Sequence, residues 1–174
     1  DSITINPQKV LGVTKTSSLL IVKDVNTLKE TFHTGLPYLD SDEKVINRGE
    51  LGVQGSRPAE IIKLWLGLNY LGISGVEKIL NDSIHKKELL QQNLNKDKFE
   101  IHAGPLHIIT FVPKGMRNKE SDQWTYNARK VLIKNEFMLS RPFYKNQYFL
   151  GAVLGNFNTE ESHILTLSRI LNNT

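Results

Sequence analysis

Near its start the chain reads Ser2-Ile-Thr-Ile-Asn-Pro-Gln-Lys9. The alternation over residues 2–5 predicts a strand, and Asn6-Pro7 predicts that the strand ends in a turn. Lys9 therefore follows the end of a strand, where its side chain can be aimed at a fixed point. Desolvation or nearby positive charge frees a lysine amine for Schiff-base chemistry. Chemistry alone leaves a solvated surface lysine as the alternative, because lysine is seldom buried without a partner.

The segments that follow Lys9 predict the end of an α/β sheet. Ser18-Leu-Leu-Ile-Val22 is apolar without alternation, which favours a strand covered on both faces. Residues 25–33 predict a short helix. Residues 34–56 contain several glycines and predict a long loop, and a loop of this length is usually functional or disordered.

Two helices are predicted next. Arg57–Leu71 is apolar on nearly every face, so we expect it to be deeply buried. Gly72 and Gly75 are expected to end it, and Val76–Leu94 predicts a second long helix with one apolar side.

The remainder predicts an α+β arrangement. The expected strands are Phe99–His102, Leu106–Val112, Phe137–Phe143 and Tyr148–Leu154, and a helix is expected over Asp122–Asn135. Asn158-Thr-Glu-Glu161 has capping-box spacing ahead of a last helix with Ile164, Leu167 and Leu171 on one face. We therefore predict two parts, residues 1–71 as the end of a sheet domain and residues 72–174 as a small α+β domain.

Composition bounds the class of protein. Hydrophobic residues make up 39% and charged residues 23% of the chain, within the globular range. The absence of cysteine excludes disulfides and thiolate sites, and fits a cytoplasmic location. The net charge of +4 is spread along the chain, which argues against a nucleic-acid partner. No segment approaches the length of apolar sequence that spans a membrane.

The order of the motifs resembles one enzyme family. Ser2 to Lys9, followed by Gly12-Val13, is similar to the signature of the group II pyridoxal-phosphate (PLP) dependent amino-acid decarboxylases, which include glutamate, aromatic and diaminobutyrate decarboxylases. In that signature a Ser- or Thr-bearing strand runs into Asn/Asp-Pro-His-Lys. Further matching segments are Ser18-Leu-Leu-Ile-Val-Lys-Asp24, Pro37-Tyr38-Leu39, Gln54-Gly-Ser-Arg57, Lys63-Leu-Trp65 and Leu71-Gly-Ile-Ser-Gly75. Each motif is weak alone, but together they point to this family.

The resemblance implies a fold-type I PLP enzyme that works as a homodimer on an L-amino acid. Lys9 would hold the cofactor as a Schiff base, and the cofactor ring would act as the electron sink when the carboxylate leaves. Tyr38 resembles the tyrosine of the mobile catalytic loop. Its implied role is to protonate the carbanion across the dimer interface; the alternative is a tyrosine that stacks in an ordinary loop.

The resemblance also implies cofactor contacts near Lys9. Gln8 stands where the family usually has His; its amide can donate a hydrogen bond but cannot carry charge. Thr16, Ser17 and Ser18 are hydroxyls that could touch the phosphate of the partner subunit's cofactor. Local hydrogen bonds within the turn are the alternative for these three.

Some of the remaining residues are interpreted as structural, and one position departs from the family's pattern. Arg57 and Trp65 are interpreted as structural, and the histidines at 102, 107 and 163 lack metal-ligand spacing with acids. Many family members place an Arg in the strand before the last helix, where it holds the substrate carboxylate. That position falls on Gly151, and glycine cannot replace a bidentate carboxylate ligand.

The family's remaining cofactor groups lie upstream of the lysine, so we expect this chain to be the C-terminal portion of the enzyme. It would need the N-terminal portion as a partner to complete the site and to remain soluble. The alternative function is a non-catalytic homologue that acts as a dimerising or regulatory partner, suggested by Gln8 and Gly151. Decarboxylation coupled to oxidative deamination is disfavoured by Tyr38, and the sequence does not name the substrate.

Overall fold

The strands predicted on either side of Lys9 form an antiparallel pair in the computed structural model, which describes residues 1–14, 17–35, 48–56 and 58–174. Strand β1 spans Ser2–Ile5 and strand β2 spans Leu19–Val22, with Ser2 opposite Val22 and Ile5 opposite Leu19. A single helical turn, α1 (Pro7–Val10), follows β1. The expected strand and turn before Lys9 are therefore present.

The expectation that both faces of β2 are covered is wrong for this chain. Leu20 and Ile21 are neighbours in the strand and point to opposite faces, yet they are 53% and 52% exposed. The physical reason is that β1 and β2 form a two-stranded sheet within the described residues, and such a pair is too small to bury its own faces.

Helix α2 (Asn26–Phe32) agrees with the short helix predicted after β2. A 3-10 turn, Arg48–Glu50, lies in the segment predicted as a loop. These elements belong to the first of two compact units, Asp1–Tyr70 and Leu71–Thr174.

Helix α3 runs from Ile61 to Asn93 as two helical segments that meet at a kink at Gly72, where the first predicted helix was expected to end. Gly72 interrupts it with φ 64° and ψ −178°, a backbone conformation essentially restricted to glycine. Gly75 lies inside the helix rather than ending it. The predicted break at Gly72 is therefore confirmed, and the predicted break at Gly75 is wrong.

The predicted deep burial of the first half of α3 is also wrong for this chain. Leu64 is buried, but most of its apolar neighbours are exposed. The exposed side chains are Ile61, Ile62, Trp65, Leu66, Leu68, Tyr70 and Ile73. The apolar pattern indicates that these residues suit a buried environment, but the described residues do not cover them.

The second unit contains a three-stranded antiparallel sheet in the order β3-β4-β7. Its strands are β3 (Phe99–Ala103), β4 (Ile108–Pro113) and β7 (Leu150–Val153), and its helices are α4 (Asn118–Lys134) and α5 (Glu161–Asn173). A small hairpin, β5 (Phe143–Tyr144) and β6 (Gln147–Tyr148), precedes β7.

The strand predicted over residues 137–143 is largely absent. Only an isolated bridge between Ser140 and Gly151 and the short β5 are formed there. Lys145 and Asn146 both have positive φ, the geometry of a tight two-residue hairpin turn. Because the chain reverses at this turn, β5 and β6 pair through only two residues each.

The hydrophobic core of this unit lies between the sheet and its helices. Ile164, Leu167 and Leu171 of α5 all point into it, as the spacing predicted. The residue before α5 is Glu160, whose backbone N–H donates to His163 Nδ1 at 3.0 Å. The capping position was therefore predicted two residues too early.

No helix in the described part of the chain is long and apolar enough to cross a membrane.

Candidate active site

Four of the predicted site residues lie in one connection between two paired strands. Because Ile5 at the end of β1 pairs with Leu19 at the start of β2, residues 6–18 leave and return at the same end of the ladder. Gln8 and Lys9 stand at the start of this connection, and Ser17 and Ser18 at its end. The two ends of the connection are thus brought together by backbone pairing.

The turn that carries Lys9 is fixed by its own sequence. Asn6 is extended, as a residue before proline should be, and Pro7 starts the helical turn with its φ already restricted. The Lys9 backbone N–H donates to the Asn6 carbonyl at 3.0 Å. Pro7 is buried, so the turn is anchored. The connection then leaves the turn through Gly12, whose φ is 64°.

The side chains of Gln8 and Lys9 differ in exposure. Lys9 is exposed, so its amine can be reached by an incoming carbonyl compound. Gln8 is partly buried, and its Oε1 atom is a buried acceptor without a hydrogen-bond partner among the described residues. A buried acceptor left unpaired costs about 1–3 kcal/mol. A polar group bound beside Lys9 would remove this cost, so the residues present fit a polar cofactor held by the lysine.

The two described hydroxyl residues that precede β2 differ in exposure. Ser17 is half-buried and Ser18 is exposed. Thr16 lies outside the described residues. The phosphate contact assigned to Ser17 and Ser18 stays a prediction.

Tyr38 and Arg57 also lie outside the described residues, and their roles stay predictions. The described residues around this segment include a side-chain contact that was not predicted from the sequence. His33 Nδ1 lies 3.0 Å from Glu50 Oε1, and Glu50 is only 4% exposed. No local motif could have revealed this pair, because the two residues are far apart in sequence.

Gly151, the position at which the resemblance predicts the family's carboxylate-binding arginine, sits in a closed environment. It pairs with Ser140 through two backbone hydrogen bonds of 2.9 Å, and the Ser140 hydroxyl donates to its carbonyl at 2.8 Å. A Cβ atom at Gly151 would lie 2.6 Å from Ser140 Oγ. A side chain at this position would therefore require Ser140 to shift.

The arginine next to Ser140 is already engaged. Arg141 Nε donates to Thr125 Oγ1 at 2.9 Å, and its guanidinium pairs with Asp122 and lies 4.1 Å from the centre of the Tyr148 ring. It attaches this segment to α4 and does not project from β7.

The histidines agree with ordinary structural roles. His102 Nε2 lies 3.0 Å from Glu100 Oε1 on the sheet, and His163 accepts the hydrogen bond that starts α5. Over the described ranges, no group of three or more potential metal ligands occurs.

Comparison with known proteins adds the decisive observation. The model of the pyridoxal-dependent decarboxylase conserved domain matches residues 1–112, well over half of the chain. The chain belongs to the pyridoxal-dependent decarboxylase family. The match covers the connection with Lys9, the segment with Tyr38 and the whole of α3.

Curated relatives of this decarboxylase-family chain are considerably longer than it is. It is 27% identical over 168 residues to human cysteine sulfinic acid decarboxylase, covering 90% of this chain and 34% of the relative. It is 24% identical over 151 residues to an L-aspartate decarboxylase of Metarhizium robertsii, covering 82% and 30%. The chain thus spans about a third of the length of the curated relatives that it matches.

Solved structures with the same fold match almost the whole chain. Rhodiola rosea 4-hydroxyphenylacetaldehyde synthase matches with a TM-score of 0.81 and 20% identity, over 99% of this chain and 36% of the other. The Oryza sativa structure titled TDC with PLP and tryptamine matches with a TM-score of 0.84 and 17% identity, over 99% and 38%. The fold-type I α/β class predicted from sequence is confirmed.

Proposed function

We propose that this chain contributes the lysine-bearing part of the active site of a PLP-dependent L-amino-acid decarboxylase. The observation that carries the proposal is the position of Lys9 within the family match, in the helical turn that follows β1. Its amine is exposed, and a buried Gln8 oxygen without a partner among the described residues lies beside it in sequence. When bound, PLP supplies the electron sink that makes loss of the α-carboxylate possible.

Each residue is given a distinct task. Lys9 Nζ would hold the cofactor covalently. Gln8, Ser17 and Ser18 hydrogen bond to the cofactor's polar atoms. Tyr38 Oη donates a proton to the α-carbon after CO2 has left, which requires a site from which water is excluded.

The proposal assigns the two parts of the chain to two domains. Residues 1–71 form the C-terminal part of the cofactor-binding large domain, and residues 72–174 form the small C-terminal domain. Matched relatives extend well beyond the aligned region, and much apolar surface of β1, β2 and α3 is exposed. Both observations support the N-terminal portion of the same enzyme as a partner. The proposal further takes the assembled enzyme to be a homodimer in the cytoplasm.

The substrate class is an L-amino acid. The names of matched relatives include cysteine sulfinic acid, aspartate and aromatic amino-acid decarboxylases. They support an α-amino acid with an acidic or aromatic side chain, without choosing between the two.

A second candidate is a non-catalytic homologue that keeps the fold as a dimerising partner. The closed environment of Gly151 favours it, because this position cannot carry a ligand for a substrate carboxylate. Cofactor bound to Lys9 without turnover of any amino acid would support this candidate.

Borohydride reduction followed by peptide mass spectrometry tests the main proposal. In the enzyme assembled with its N-terminal portion, we expect a reduced pyridoxyl group on Lys9 and release of CO2 from an L-amino acid. Changing Lys9→Ala should abolish both, lowering turnover by at least about 1,000-fold, since covalent and orientational effects of this kind are large.

The matched control is Lys23→Ala, which removes an exposed lysine just after β2. It should leave the adduct and the turnover unchanged. A pyridoxyl group on another lysine, or full CO2 release by Lys9→Ala, would contradict the proposal.

A further inference from the structure

One row of residues crosses the sheet of the second unit at Gly151, where the resemblance predicts a carboxylate-binding arginine. His102 on β3 lies opposite Thr110 on β4, and Thr110 lies opposite Gly151 on β7. Ser140 forms an isolated bridge on the other side of Gly151. Directly opposite residues of neighbouring strands point to the same face of a sheet, so these four residues form one row.

The row lies on the face of the sheet that is turned away from the hydrophobic core, which we call the open face. The next pair along the strands, Phe111 and Leu150, points to the other face and is completely buried in the core. On the open face, Ile108 and Val153 are exposed. Two members of the row line an open cavity of about 550 Å³. The described residues of this unit therefore leave the row accessible to a ligand.

Two side chains of the row have hydrogen-bonding capacity that the described residues do not use. The Thr110 hydroxyl makes one contact, 3.5 Å to the His102 carbonyl, which is at the limit for a hydrogen bond. His102 contacts Glu100 through Nε2 at 3.0 Å, and its Nδ1 atom has no partner among the described residues. Gly151 adds no side chain to the row, and the Ser140 hydroxyl lies where its Cβ would be.

The charges around the His102 ring favour a ligand with a negative charge. Glu100 contacts one ring nitrogen, and Arg117 Nη2 lies 3.2 Å from the other oxygen of Glu100 and offsets its charge. The ring also packs against Phe149, which carries no charge, with 5.6 Å between the ring centres. A protonated His102 ring therefore gives this group a net positive charge. Its Nδ1–H is then a donor for a second carboxylate.

We propose that His102 and Thr110 bind the substrate carboxylate at the place where the family's arginine is absent. Thr110 donates its hydroxyl hydrogen to one carboxylate oxygen, and the protonated His102 ring donates from Nδ1 to the other. The contact that Gly151 cannot make is thereby made from β3 and β4. The inference rests on the proposed function, because it takes the substrate to be an amino acid.

The first test compares two variants of Thr110 in the enzyme assembled with its N-terminal portion. CO2 release is measured with the protein L-amino acids and L-cysteine sulfinate, and KM is compared for those that are decarboxylated. Thr110→Val removes the hydroxyl with little change of shape. We expect KM to rise about tenfold, because hydrogen bonds to charged groups have roughly this weight, with kcat little changed. Thr110→Ser keeps the hydroxyl and should stay within about twofold of the unmodified enzyme.

The second test removes the ring nitrogens of His102. His102→Phe should also raise KM about tenfold. Because the contact requires a protonated ring, KM of the unmodified enzyme should rise with pH across the range in which histidine titrates. This dependence should be lost in His102→Phe. The matched control is His85→Phe, which breaks a similar contact of 3.1 Å with Glu161 away from the sheet and should leave KM and its pH dependence unchanged.

The product amine separates a carboxylate contact from a general change of the site. This amine lacks the α-carboxylate but keeps the rest of the substrate. Its inhibition constant should therefore change less than about twofold in Thr110→Val and His102→Phe. Equal increases of KM and of this inhibition constant would overturn the carboxylate contact, and so would an unchanged KM in both variants. Absence of CO2 release by the unmodified holoenzyme would instead contradict the proposed function itself.

Discussion

In Leu71–Thr174 the side chains of Phe99, Phe111 and Leu132 are almost completely buried, whereas in Asp1–Tyr70 those of Ile3, Leu20 and Trp65 are more than half exposed. The two units do not differ in the kind of sequence they contain, since both are rich in apolar residues. They differ in whether their own residues can cover those side chains. Apolar surface that stays open on this scale marks an interface.

The largest expected effect concerns folding of the separate units. Residues 71–174 contain all of the buried hydrophobic cluster, so this segment expressed alone should unfold in one cooperative thermal transition. Residues 1–70 alone should show no such transition. Circular dichroism during heating checks both. A cooperative transition in the shorter segment would show that the first unit needs no further chain.

A matched pair of truncations sharpens the same comparison. Phe111→Ala removes a fully buried ring from β4 and should lower the free energy of unfolding by about 3–5 kcal/mol. Trp65→Ala removes an exposed ring from α3 and should change it by less than about 0.5 kcal/mol in this chain. Denaturant titration measures both.

The Trp65 variant also has a second use. With the N-terminal portion present, the same change should become strongly destabilising if that portion covers α3. An unchanged small effect in the assembled enzyme would contradict the partner surface proposed for this helix.

A smaller effect than that of Phe111→Ala is expected at Gly151. Gly151→Ala places Cβ against Ser140 Oγ and should cost about 1–3 kcal/mol through overpacking. Adding Ser140→Ala should recover part of this loss, because it removes the oxygen that the new methyl group meets. Gly104→Ala is the control, since a Cβ there meets no atom within 4 Å. Equal loss in Gly104→Ala and Gly151→Ala would show that the closed environment is not the cause.

Short-range patterns in this sequence were reliable guides. The alternation of residues 2–5, the break at Asn6-Pro7 and the spacing of Ile164, Leu167 and Leu171 each depend on neighbouring residues alone. The structure contains the corresponding elements. The order of motifs also identified the family, which the comparison confirms.

The predictions that were wrong or missing depend on contacts between residues that are distant in sequence. The sequence of α3 shows its apolar character. Whether these apolar side chains are buried depends on residues that are distant in sequence or outside this chain. The pairing of His33 with Glu50 and the closure of Gly151 by Ser140 are likewise long-range. For the candidate site, the sequence named Lys9, Gln8, Ser17 and Ser18, and the register of β1 with β2 explains how one connection holds all four.

The backbone conformation of Gly72 limits which mutations of its codon the protein can tolerate. Its φ of 64° and ψ of −178° suit glycine alone. Any single-base change in a glycine codon that is not silent introduces either a residue with a side chain or a stop codon. Every such change at this codon therefore forces a strained backbone at the interruption of α3 or truncates the protein there. Position 72 should consequently be among the least variable of the chain in natural populations, even though open space surrounds it.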